Sequence, residues 1–199
     1  MIVATVLICA TLLLSLSASA TQFDSGFGNG GTTLIPVVGT NTSDLRIARQ
    51  STGKLIVGYN TTMGDTATHE IIRLNPDGTL DTSAAIIIPD TIISSYGIRI
   101  SDIGVDASDR ILLWGTATNL STFNTGLLLI RLLADGGLDT SFDADGYAIT
   151  NEAGTLKETY NFLIDGTTVY AGAAVNFAGT VFKFTGTGAL DTSFDGDGF

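Results

Sequence analysis

Four copies of one short motif recur along the chain at nearly constant spacing, so the chain must fold as an array of like units. The copies are Phe23-Asp24-Ser25-Gly26-Phe27, Leu80-Asp81-Thr82-Ser83, Leu138-Asp139-Thr140-Ser141-Phe142 and Leu190-Asp191-Thr192-Ser193-Phe194, with their aspartates 57, 58 and 52 residues apart. The similarity continues upstream, where Ile72-Arg73-Leu74-Asn75-Pro76-Asp77-Gly78 matches Ile130-Arg131-Leu132-Leu133-Ala134-Asp135-Gly136 and, more loosely, Phe182-Lys183-Phe184-Thr185-Gly186-Thr187-Gly188. Downstream, Asp143-Ala144-Asp145-Gly146-Tyr147 matches Asp195-Gly196-Asp197-Gly198-Phe199. Three offsets agreeing on one period delimit repeats of about 23–80, 81–138 and 139–190, with a further repeat starting at 191–199.

Each period reads as four short strands. The first set is expected at 32–38, 44–50, 54–60 and 69–75, the second at 84–89, 97–105, 110–117 and 126–133, and the third at 146–150, 157–164, 167–173 and 179–185. Composition agrees, because 29 threonines against three glutamates suit strands and not helices. Twenty-four glycines with only three prolines fit many tight turns in an ordered chain. The third strand of each set (Leu55-Ile56-Val57, Ile111-Leu112-Leu113-Trp114, Val169-Tyr170-Ala171) is a continuous apolar run, as a strand covered on both faces requires. Four antiparallel strands per period of this length is the pattern of a β-propeller blade. The expected fold is all-β, a propeller-like repeat array of about three four-stranded blades. Rings close with about 4–8 blades, so three leave the propeller incomplete and open. A fragment of a longer reading frame, or a ring assembled from several chains, accounts for that count, and the fragment is the simpler reading.

Asn75-Pro76-Asp77-Gly78-Thr79-Leu80-Asp81-Thr82-Ser83 and Leu138-Asp139-Thr140-Ser141-Phe142-Asp143-Ala144-Asp145-Gly146 resemble the signature of the delta-60 repeat, found in β-propellers of large exported bacterial proteins. The resemblance covers essentially all of 23–199. It implies a fold and an exported setting but no shared catalytic residues. Two places depart from the pattern: Ser83 runs straight into Ala84-Ala85-Ile86, and Gly186-Thr187 stands where Pro-Asp is expected.

Residues 1–20 are apolar and uncharged and end in Ala18-Ser19-Ala20, the small-x-small pattern of a signal-peptide cleavage site. The apolar stretch is short for a bilayer span of about 20 residues. The expected product is a secreted or cell-envelope protein, residues 21–199, beginning at Thr21. Cys9, the only cysteine, lies in the segment removed, so the mature chain has no disulfide and no thiolate chemistry. The formal charge of −11 repels phosphate backbones and anionic lipid, which argues against nucleic-acid and membrane-surface partners. A protein or carbohydrate ligand, and further blades in cis or self-association through the open flanks, are the partners expected.

Chemistry-bearing residues are few. Asp139, Asp143 and Asp145 before Gly146, and Asp191, Asp195 and Asp197 before Gly198, supply alternating carboxylates of the kind a calcium loop uses, although no glutamate follows at a bidentate position. The simpler reading makes them turn residues bonded to their own backbone. Arg73, Arg131 and Lys183 are equivalent; their stems should pack on the blade, with heads in water or on the turn aspartates Asp77 and Asp135. His69 is the only histidine and reads as a strand-end residue, with no Gly-x-Ser-x-Gly nucleophile motif around it. Trp114 reads as core. No catalytic or cofactor-binding residue is assigned, and calcium is the one cofactor considered. A non-catalytic scaffold or binding module is the expected function. A propeller hydrolase or lyase acting on polysaccharide is the alternative, which non-repeat acidic or aromatic residues converging on the central channel would favour.

Overall fold

A computed structural model describes residues 23–35, 41–63, 66–83, 94–150 and 156–199, with the isolated positions 86, 88 and 92. The signal-peptide segment lies outside these residues, as do most of the expected strand 84–89 and half of 32–38. Ten strands are named: β1 (Asn41–Arg49), β2 (Leu55–Met63), β3 (Thr66–Leu74), β4 (Tyr96–Val105), β5 (Ile111–Asn119), β6 (Thr125–Leu132), β7 (Tyr147–Thr150), β8 (Leu156–Asp165), β9 (Thr168–Val175) and β10 (Ala178–Phe184). They form three antiparallel sheets, β1-β2-β3, β4-β5-β6-β7 and β8-β9-β10. The architecture is all-β and propeller-like, an open array of three sheets.

The sheets stack through their apolar faces. Ile56 and Ile71 of the first sheet share one buried cluster with Ile100, Ile103, Ile111, Leu113, Leu128 and Ile130 of the second. The other face of the second sheet, with Leu112, Trp114, Leu127 and Leu129, packs on Val169, Ala171, Ala173, Phe182 and Phe184 of the third. The middle sheet is therefore covered on both sides, and β5 and β6 are buried along nearly their whole length. In the third sheet β9 alternates buried and half-buried positions instead. Its apolar run is covered on one face only, because among the described residues nothing packs beyond it; the expectation of two covered faces holds for β5 and fails for β9.

One boundary assignment is corrected. Residues 146–150 were expected to open the third repeat's own sheet, but β7 pairs with β6 as the outer edge of the preceding sheet, with Ile130 opposite Tyr147. The cause is local. Asp143, Ala144 and Gly146 all have positive φ, which turns the chain back on itself, and the Arg131 amide donates to the Gly146 carbonyl. The Leu-Asp-Thr-Ser motifs thus return the chain to the strand it has just left. The chain after β10 turns back in the same way, with the Lys183 amide donating to the Gly198 carbonyl. Of the first repeat's expected opening strand, 32–38, only 32–35 is described, and it forms no strand beyond an isolated Gly28–Thr32 bridge.

Strands β1, β4 and β8 are the first of each sheet and lie side by side, β4 between the other two. Each carries a β-bulge: at Ser43/Arg46, at Ile100/Asp102, and at two places in β8, Leu156/Glu158 and Thr159/Phe162. Bulges bend a strand and re-aim its side chains. These three bulged inner strands position the candidate site.

Candidate functional site

The repeated motif is first a structural lock. In the last three copies the leucine bridges the end of the preceding strand: Leu80 to Leu74, Leu138 to Leu132 and Leu190 to Phe184. The next aspartate then divides its two oxygens. Asp81 Oδ1 accepts the Ser83 amide and hydroxyl, while Oδ2 accepts Arg73 Nε at 2.7 Å and Lys54 Nζ at 2.6 Å. Asp139 does the same with Ser141 and with Arg131 Nε at 2.7 Å. Asp191 pairs with Ser193 and with Lys183 Nζ at 2.8 Å. The arginine fork also reaches the neighbouring sheet. Arg73 Nη1 donates to the Ala134 carbonyl at 3.0 Å, and Arg131 Nη1 to the Gly186 carbonyl at 2.6 Å. Arg131 further lies 4.5 Å over the ring of Phe142, which is buried against the Gly188 turn.

These cations were expected to reach water or Asp77 and Asp135. The structure gives them Asp81, Asp139 and Asp191 instead, because Asp77 and Asp135 are spent on their own turns, accepting the amides of Thr79 and Gly137. The charge states follow. Hydrogen bonds from Lys54 and then Ser83 hold the Asp81 carboxyl far below its ordinary range, and Lys183 and Ser193 pull Asp191 down to about 2. Burial raises Asp139, but bonds from Ser141 and Arg131 outweigh it, so its pKa too is lowered.

The six aspartates proposed for calcium are thereby placed. Asp139 and Asp191 face lysine or arginine. Asp145 and Asp197 accept the amides of Tyr147 and Phe199 two residues on, and Asp143 and Asp195 sit at positive φ within their turns. Among the described residues no group of three or more acidic, histidine or cysteine side chains is placed to hold a metal ion. His69 lies inside β3 opposite Asn60, not at a strand end, since β3 begins three residues earlier than expected. Its ring nitrogens face Asn60 Oδ1 and the Ile98 carbonyl. Burial lowers its pKa, the Ile98 carbonyl opposes this, and the charge of Arg99 adds to the lowering. Trp114 is fully buried, donates to the Gly172 carbonyl at 3.3 Å and meets Phe184 edge-on at 5.8 Å. It belongs to the core, as expected.

The concave feature that sequence reading missed lies across the inner strands. A groove of about 350 Å³ is lined from β1 by Asp44 and Arg46, from β4 by Arg99, Ser101 and Asp102, and from β8 by Glu158, Thr159, Tyr160 and Asn161. Its floor is tied together: Arg46 Nε donates to the Ser101 carbonyl at 2.8 Å, and the Ser101 and Thr159 hydroxyls bond at 2.6 Å. Asp44 accepts from Asn60 at 3.1 Å and from Arg99 at 3.2 Å. Burial raises its pKa, yet those bonds prevail and keep it ionised. Asp102 accepts the Ile103 and Phe162 amides, with Arg46 at 4.0 Å. Among the described residues the Glu158 carboxylate has no hydrogen-bond or ion-pair partner. None of these residues recurs with the repeat, so self-similarity gave no sign of them; the signal available was their departure from it.

The comparisons bear on the first sheet. The family model described as Domain of unknown function (DUF5122) beta-propeller matches residues 50–83, which span β2, β3 and the Asp81 lock. That match agrees with the propeller-like arrangement of sheets. No curated protein and no solved structure matches the chain.

Proposed function

We propose that the chain is a non-catalytic, exported β-propeller scaffold or binding module of the delta-60 repeat type, part of a larger extracellular or envelope protein. The observation that carries this reading is the use made of the repeat-imposed charges. Arg73, Arg131 and Lys183 are committed to motif aspartates, and the two arginines fasten one sheet to the next. A scaffold needs such locks; a catalyst would need free groups. The groove supports binding over hydrolysis. Glycoside hydrolysis takes two carboxylates, an acid and a nucleophile or base. Asp44 and Asp102 already accept structural hydrogen bonds there, which leaves Glu158.

The outer flanks support association with further blades or with other copies. Leu45 and Ile47 of β1 are exposed on one side of the array, and Leu163 and Val181 on the other. Expression of the whole chain in a bacterial host tests the reading. The expected result is protein outside the cytoplasm whose N-terminus, by mass spectrometry, is Thr21, self-associating in light scattering and inert toward polysaccharides. An intact N-terminus on protein retained in the cytoplasm overturns the export reading, and turnover of a polysaccharide overturns the non-catalytic one.

A further inference from the structure

We infer that the groove across β1, β4 and β8 is a binding site for a neutral oligosaccharide, an assignment that rests on the binding-module reading and gives it a ligand class. Its volume of about 350 Å³ falls in the range of roughly 300–1,000 Å³ usual for small-molecule sites. Its position is built by backbone that recurs, since every inner strand bulges there. Its side chains do not recur. The bulge that holds Asp44 and Leu45 in the first sheet holds Ser101 in the second and Tyr160 and Asn161 in the third, whereas the lock residues between the sheets are near-copies. A uniform structural role would not demand different chemistry from sheet to sheet.

The chemistry selects the ligand class. Two cations, Arg46 and Arg99, alternate with three carboxylates, Asp44, Asp102 and Glu158. An anionic ligand would meet the carboxylates and a cationic one the guanidiniums, with like charges at close range in either case. A neutral polyhydroxyl ligand uses both, since each hydroxyl donates to a carboxylate and accepts from a guanidinium or amide. Arg99 spends one nitrogen on Asp44 and stays half exposed, which leaves donors for a ligand. Tyr160, about half exposed at the β8 bulge, offers an aromatic face to the C–H side of a sugar ring, with a hydroxyl at its edge.

Calorimetry on the whole chain tests this with cellohexaose, xylohexaose, mannohexaose and chitohexaose, against polygalacturonate and heparin as anionic probes and spermine as a cationic one. The expected result is saturable binding of at least one neutral hexasaccharide. Tyr160→Ala and Arg99→Gln should each weaken it at least tenfold while the melting temperature of Tyr160→Ala stays at wild type, and Phe123→Ala, on the exposed β5–β6 turn, should leave it unchanged. Failure of all four neutral sugars to bind, preference for a charged probe, or undiminished binding by Tyr160→Ala overturns the assignment. A folded, exported chain that binds no sugar sinks the groove and leaves the scaffold standing. Cleavage of a bound sugar that is lost with Tyr160→Ala supports the groove and removes the non-catalytic reading.

Discussion

Asp139 shows how much one residue of the motif does: it caps its own turn through Ser141 and neutralises the buried Arg131, whose fork then reaches the Gly186 carbonyl of the next sheet. Removing one partner of a buried pair strands the other charge, at a cost of about 3–5 kcal/mol. Asp139→Ala should lose that much in urea unfolding, and a loss under about 1 kcal/mol would mean that the pair is not buried as described. Gly146 is the second such position. It sits at φ +96°, and a Cβ there would run into the Leu138 side chain. Gly146→Val should therefore destabilise by at least about 2 kcal/mol, combining left-handed strain with the clash. The pH dependence follows from Asp81, Asp139 and Asp191, whose folded-state pKa values all lie below the ordinary 3.8. Groups depressed on folding contribute stability that is complete above the unfolded value and drains as pH falls through the folded one. Urea midpoints should decline gently below about pH 6.5, where the unfolded chain protonates His69 more readily than the folded one, and fall steeply below about pH 4.5, with Asp191→Asn making the acid limb shallower. A midpoint that rises on acidification would contradict the sign.

The strands were legible in the sequence because their cause is local. Apolar runs between Gly and Asp turns place β2, β5, β6, β9 and β10 within a few residues of where they are found. The sheet to which a strand belongs was not legible. Residues 147–150 carry the same alternation in either sheet, and what decides is the positive-φ turn at Asp143–Gly146 together with one amide bond, Arg131 to Gly146. The Arg–Asp pairing was missed for a related reason: Asp77 and Asp135 are nearer the loop tips, but Asx-type turns had already taken their oxygens. The groove was invisible because bulges, which bring Asp102 and Tyr160 to it, leave no periodic trace in a sequence. Burial predicts which element is most protected. Amides of β5, central in its sheet and covered on both faces, should exchange only by global unfolding, while those of β10 should exchange sooner, since one edge of β10 is paired to β9 and the other is held only near its end, at Lys183 and Phe184. Equal exchange rates in the two strands would contradict the order of the sheets.

At the scale of the whole molecule, three sheets are fastened face to face as neighbouring blades. Trp114, the only tryptophan, reports on that arrangement, since its indole belongs to the second sheet and its partners Gly172 and Phe184 belong to the third. Nuclear Overhauser spectra of the whole chain therefore read the junction from one assigned ring. Cross-peaks from the Trp114 indole to the Phe184 ring and to Gly172, with emission at the blue end of the tryptophan range, are the result expected. A solvent-exposed Trp114 with cross-peaks confined to β4, β5 and β6 would show sheets that do not stack, and the propeller arrangement would fall with them.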